Sequence, residues 1–461
     1  MRQGLRTLAL IFAAACAARA QDPLDDLLSL DDATTLGDGD LASAAELKLR
    51  GVRGFLETRF RSFFRDRGRV QGRNDEQWIQ ELQLELEFDF APALSGFLRP
   101  RFLIGALDDD LVRTEPLEAF VTWDLGDHEL RAGQLVENWG IADTFNPIDV
   151  LNRRDLAEDP LDPVRLGELG LRYRWFLNGG ETVGEPVLSL YAMPLFRRAL
   201  FPGDDSRWSF NPRTPAAPTA PNLDLRAGDE PRGDDGVFLA ARAQSTLSTA
   251  AANADVQLVF ARGPDRFPLF EPAQGSAGDV LAPTYFGSTT IGGGLRAVPN
   301  GDLLSDYTLK AEVVYRQPFR MRGRPSALPD DYVQYAFGFD RIIPDAFTDR
   351  DTLTATVEWV GEVGATDPTS LYRPFDDDLV VRLLWEANNF ARQRVELRGF
   401  VDFDKREALV EASVQTQLRS IHEDLKLELG VRWFEVATDE PGFFGLFPDN
   451  STVWTSLRLD F

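Results

Sequence analysis

Charged side chains recur at every second position along several stretches whose alternate positions are apolar. That spacing is where chemistry could reside. Between Val52 and Phe64, one face carries Arg53, Glu57, Arg59 and Arg61. Between Trp78 and Phe90 the matching face is acidic, with Glu85, Glu87 and Asp89 beside Gln83. The next stretch is basic again, with Arg99 and Arg101. Later stretches offer Arg172 and Arg174, Lys310 and Glu312, Arg382 and Glu386, and Glu396 and Arg398. Neighbouring stretches alternate in sign, so pairing them would set opposite charges across a ladder. Two chemistries follow. One is a charged wall that selects solutes, lined by Arg59, Glu85, Asp89, Arg99, Arg101, Arg172 and Arg174. The other is an ion-pair network filling a narrow interior.

Catalysis is poorly served. A histidine beside a nucleophile is the usual requirement of a hydrolytic site, and the two histidines, His128 and His422, fall in short turns. There is no His-x-x-x-His pair for a metal, and nothing selects one carboxylate pair from many. The expectation is a protein that is not an enzyme and takes no metal or cofactor. The formal charge of -25 disfavours nucleic acid as a partner.

One segment stands apart: Glu137 to Leu156, ENWGIADTFNPIDVLNRRDL. It is too apolar for a solvated loop, with Trp139, Ile141, Phe145, Ile148, Val150 and Leu151. Gly140 permits unusual backbone angles, Asn146-Pro147 starts a turn and Asp149 can cap one. An apolar, ordered loop needs a surface to pack against. It is expected either to fold inward as a constriction formed by Trp139, Asn146, Pro147, Asp149, Arg154 and Asp155, or to cap an outer rim. With the preceding Gly133 and Gln134, the segment resembles porin-like Gram-negative outer-membrane barrels of unknown function. Their Gly-Arg/Gln-Gln…Trp-Gly, Asn-Pro-x-Asp and Arg-Asp elements match Gly133, Gln134, Trp139, Gly140, Asn146, Pro147, Asp149, Asn152, Arg154 and Asp155. The resemblance covers this region and implies a channel or envelope-transport role without naming a substrate.

The elements that must position these residues are strands. From Val52 to Phe461 the apolar positions alternate with period two. They end in Val453, Thr455, Leu457, Leu459 and Phe461, an oily face closing on an aromatic residue. Short and long connections alternate, as in an up-and-down barrel with short periplasmic turns and long outer loops. Rings such as Trp359, Phe403 and Trp433 at one set of strand ends, and Trp123, Trp175 and Phe461 at the other, fit two interfacial girdles. Composition agrees: 43% hydrophobic and 27% charged residues exclude a helical membrane protein and allow a barrel. No stretch approaches the roughly 18 apolar residues of a spanning helix.

The N-terminal region reads as an export signal. Arg2 and Arg6 precede an apolar run, and Ala18-Arg19-Ala20 forms a cleavage site, which places the single cysteine, Cys16, inside the removed segment. The expected organisation is a signal peptide at 1–20, an acidic periplasmic leader at 21–51 and a barrel at 52–461. The fold class is all-β, a transmembrane antiparallel up-and-down barrel of about 18 strands, with 16 as the alternative. The leading function is an outer-membrane porin or channel for small solutes. The alternative is a structural or docking barrel of an envelope system exporting lipid or another hydrophobic cargo, with an inner-membrane exporter as partner. Other expected partners are outer-membrane lipid, lipopolysaccharide and the barrel-assembly machinery. Both termini are expected in the periplasm.

Overall fold

A computed structural model describes residues 47–65, 75–105, 111–203, 206–210, 222–224, 230–275, 278–301, 304–322, 328–364, 377–436 and 443–461. The expected signal segment, and the expected leader up to residue 46, lie outside the described residues.

The strands are β1 (Lys48–Phe63), β2 (Glu76–Ala91), β3 (Leu94–Gly105), β4 (Pro116–Asp124), β5 (His128–Leu135), β6 (Glu168–Phe176), β7 (Val187–Met193), β8 (Phe238–Ser248) and β9 (Ala252–Pro264). They continue as β10 (Gly287–Pro299), β11 (Tyr307–Phe319), β12 (Tyr332–Pro344), β13 (Thr352–Val363), β14 (Asp377–Glu386), β15 (Arg394–Asp402), β16 (Glu407–Gln417), β17 (Leu425–Glu435) and β18 (Thr452–Asp460). The two-residue strand Val112–Arg113 pairs with β3 just ahead of β4 and extends the same stave. Consecutive strands pair antiparallel. β18 pairs back onto β1, from Phe55↔Asp460 to Phe63↔Thr452. The result is a closed antiparallel barrel of 18 strands, and closure leaves no edge to aggregate.

Side-chain burial inverts the pattern of a soluble protein. Along β9, Leu258 is 68% exposed while its neighbours Gln257 and Val259 are buried. The same alternation sets exposed Leu239, Leu309, Val313, Trp359 and Val431 against buried Arg242, Lys310, Glu312, Glu358 and Arg432. Apolar residues outside and charges inside suit a wall surrounded by hydrocarbon. Trp359 and Phe403 stack at 5.9 Å, and Phe64 meets Trp433 at 6.0 Å, on the outer surface near one rim. Trp123, Trp175 and Phe461 are exposed near the other. No helix among the described residues is long and apolar enough to cross a membrane.

The two rims differ. The near rim holds both described chain ends and the short connections 92–93, 125–127, 249–251, 387–393 and 418–424. The far rim carries 136–167, 194–237, 265–286 and 436–451, with 403–406 as its short exception. Three details depart from the sequence expectation. β1 begins at Lys48, ahead of the expected Val52. The sixth strand begins at Glu168, not near Arg165. Arg165 sits instead in Val164–Leu166, which pairs with Arg153–Asp155 inside the loop. The connection after β9 is also not plain loop: Leu269–Gly275 pairs with Gly278–Thr284.

Candidate functional site in the barrel lumen

The connection between β5 and β6 runs against the charged inner face. Trp139 is fully buried and packs with Ile148, Val150 and Leu151 onto wall residues including Tyr191, Met193, Val259 and Val314. Its ring meets Tyr191 at 5.3 Å. Each aliphatic side chain so buried contributes roughly 1.5–3 kcal/mol. Gly140 is required by this fold, because a Cβ there would collide with the Asn146 side chain. A Cβ at Gly294 on β10 would lie 2.6 Å from Ile141 Cδ1, so the glycine makes room for the loop.

Backbone groups of the loop are satisfied by the wall. Glu312 accepts from the N–H groups of Ile141 and Ala142, the latter at 2.8 Å. Glu358 accepts from Asp143 N at 2.7 Å and Thr144 N at 2.9 Å. Gln257 Nε2 donates to Trp139 O at 2.6 Å, and Arg316 donates to Pro147 O at 3.2 Å. Lys310 holds Asp143 at 2.7 Å. Glu137 takes Arg172 and the Tyr191 hydroxyl. These partners lie on β6, β7, β9, β11 and β13.

The later half of the loop binds the other side of the barrel. Asp155 pairs with Arg113 at 2.9 Å and Arg101 at 3.7 Å. Glu158 pairs with Arg59 on β1 and with Arg101 on β3, the latter at 2.7 Å. Asp159 pairs with Arg61 on β1 at 3.2 Å and with Arg432 on β17 at 2.9 Å. Burial alone would raise the Glu158 carboxyl, but the guanidiniums of Arg59, Arg101 and Arg61 outweigh it and hold it below the ordinary range. At Asp159 burial is likewise outweighed, by Arg432 and Arg61.

The residues expected to line a pore divide into two groups. Arg59, Arg101 and Arg172 are engaged by the loop, and Arg101 is only 3% exposed. Glu85, Asp89, Arg99 and Arg174 keep more solvent contact and pair along the wall: Glu85 with Arg53 at 3.6 Å, Asp89 with Arg50 at 3.5 Å, Arg99 with Glu118 at 2.8 Å, and Arg174 with Glu129 at 3.8 Å. Of the loop residues, Asp149 is fully buried between Arg154 and Arg165, both at 2.6 Å. Arg154 therefore pairs within the loop region, while Asp155 reaches the wall. Sequence reasoning did not single out Glu158, Asp159, Glu358, Gln257 or Arg432 as loop anchors. The adjacent acids Glu158-Asp159 opposite the basic faces of β1 and β3 were the available signal.

A cavity lies on each side of the loop. One, of about 250 Å³, is bounded by Asn138–Ile141 and by Glu185, Gln244, Asp255 and Arg296 toward the near rim. The other, of about 230 Å³, lies toward the far rim among loop residues Asp143–Asn146 and Pro160–Pro163, wall residues and Phe443 and Phe444. Beside it, Trp208, Phe210, Phe270, Phe443, Phe444 and Phe447 from the far-rim connections form one apolar mass with wall residues such as Val360, Phe400 and Phe434. Among the described residues no group of His, Cys, Asp and Glu is arranged to hold a metal ion.

No protein-family model and no curated protein sequence matches the chain. Solved structures do. A BenF-like porin from Pseudomonas fluorescens Pf-5 superposes with a TM-score of 0.51 at 9% identity, over 90% of this chain and 98% of that one. Pseudomonas aeruginosa OccK11 (OpdR) gives 0.48 at 10% identity, over 89% and 95%. Wzi, described as an Escherichia coli outer-membrane carbohydrate-binding β-barrel involved in group 1 capsule assembly, gives 0.47 at 10% identity, over 89% and 84%. At such identities the likeness is one of fold, and the fold of this chain is that of an outer-membrane porin-like β-barrel.

Proposed function

We propose that this chain is a porin passing small solutes across the outer membrane of a Gram-negative cell, with residues 137–163 narrowing its pore. The observation that carries the reading is the attachment of one loop to both halves of the inner wall, from Glu312 and Glu358 on one side to Arg61 and Arg101 on the other. A segment so placed restricts what passes, and its charges and those of the wall set which solutes do. On this reading the near rim and both chain ends are periplasmic. Phe461 is the aromatic end met by the barrel-assembly machinery, and the exposed apolar band meets lipid and lipopolysaccharide.

Deleting Ala142–Arg153 should raise single-channel conductance in a planar bilayer. Unchanged conductance from a folded, heat-modifiable barrel would overturn the constriction. A lumen occupied by the loop and by the apolar mass around Trp208 and Phe444 favours a second reading, a docking barrel whose periplasmic rim meets an inner-membrane exporter of hydrophobic cargo. That reading gains if neither the native protein nor the deletion conducts.

A further inference from the structure

The far-rim cavity has a charge pattern that selects one sign of ligand. Three arginines line it, Arg154, Arg165 and Arg316. Each is already taken: Arg154 and Arg165 by Asp149, and Arg316 by Asp265 at 3.2 Å. An anion entering here would have to displace a carboxylate from each. The acids are not all matched in this way. Asp143 is held by Lys310, whereas Asp162 lines the cavity with an exposed carboxylate that makes no ion pair or side-chain hydrogen bond among the described residues. The cations nearest to it are engaged elsewhere, Arg398 by Glu396 and Glu411, and Arg432 by Asp159 and Glu411. The nearby Asp159 carboxylate adds to the negative field that a cation would meet there.

The rest of the lining suits an apolar body attached to such a cation. Phe145, Phe267, Tyr332, Phe400 and Phe444 present rings to the space. Leu161, next to Asp162, packs against the cluster that contains Phe400 and Phe444. Rings beside an unpaired carboxylate favour a cation twice over, through the charge itself and through the electron-rich ring faces. The volume of about 230 Å³ limits the occupant to a small molecule.

We propose that this cavity is a binding site for small organic cations, an ammonium on an aromatic or aliphatic body, with Asp162 taking the charge. The site rests on the reading of the lumen as a solute path and names the class of solute. Isothermal titration of the full-length protein in detergent tests it with phenethylammonium, phenylacetate and ethylammonium. Phenethylammonium should bind, and the other two should bind at least about tenfold more weakly, one lacking the cation and the other the ring. Asp162→Asn should weaken phenethylammonium binding about tenfold, and Asp162→Glu should restore most of it in an equally heat-modifiable barrel. Phenylacetate binding as tightly as phenethylammonium, or Asp162→Asn binding it like the native protein, would overturn the site. Titration needs no current, so a protein that binds the cation but never conducts in a bilayer would refute the porin reading alone.

Discussion

Glu158→Gln removes one charge where the loop meets the wall and keeps the side-chain volume. It deprives Arg59 and Arg101 of a partner, the latter at 2.7 Å. Neither cation is left bare: Arg59 keeps Glu57 at 2.8 Å and Arg101 keeps Glu81 at 2.7 Å. Breaking a buried pair outright costs about 3–5 kcal/mol, so with partners retained the loss belongs at the lower end, about 3 kcal/mol. If the loss falls on the docked loop rather than on the barrel, the undocked population rises about a hundredfold. Trypsin cleavage after Arg153 and Arg154 reads that population directly while opening is faster than cleavage. Arg153 is buried in the docked loop, so cleavage there should accelerate about a hundredfold, with more frequent large-conductance openings in single-channel records. A cleavage rate unchanged in an intact, heat-modifiable barrel would refute the anchor. The pH dependence has a definite sign. The carboxyls of Glu158 and Asp159 are depressed by their arginines. Their stabilisation is therefore full above the ordinary carboxylate value of about 4 and is lost only as pH falls below it, through the folded values. Docking should not change between neutrality and pH 5 on their account, and acid should release the loop.

Two further outcomes are expected. Leu84→Arg should hinder membrane insertion by roughly 2–4 kcal/mol, because it places a cation on the apolar outer face, whereas Glu85→Gln should insert normally; the heat-modifiable band in outer-membrane fractions distinguishes them, and the reverse order would put the register of β2 off by one residue. Gly294→Val should push aside Ile141, whose Cδ1 lies 2.6 Å from where a Cβ would stand, and should raise conductance without loss of barrel assembly; native-like current from this variant would show that the loop yields locally without leaving the wall.

The barrel was legible because its signal is local. Alternation along Trp78–Phe90 specifies two faces from the chain itself, and the alternation of short and long connections orders the strands. Eighteen strands follow from these two patterns, glycine-rich β10 included. The loop anchors were not legible, because their partners are far apart in sequence. Glu312 and Glu358 look like ordinary inward residues of β11 and β13, and nothing near them announces that each accepts backbone N–H groups from residues 141–144. The Gly292–Gly294 run reads as a weak strand, whereas at Gly294 the missing side chain is what admits Ile141. The hairpin Leu269–Thr284 escaped because Pro272, Pro283 and its glycines mask the strand pattern.

Asp159 reaches Arg61 on the first strand and Arg432 on the seventeenth, with the final strand lying between them. One side chain thus clasps the seam where the two ends of the sheet meet. Arg432 belongs to the last hairpin synthesised, so this carboxylate acquires its second cation only after nearly the whole chain has been made and the sheet has curled shut. The loop is therefore expected to dock late in assembly, because until β18 meets β1 the two arginines of Asp159 are not held together by the wall. The carboxylate that holds the loop to the wall thus also joins the two ends of the wall, and removing it should show first as slower closure of newly made protein.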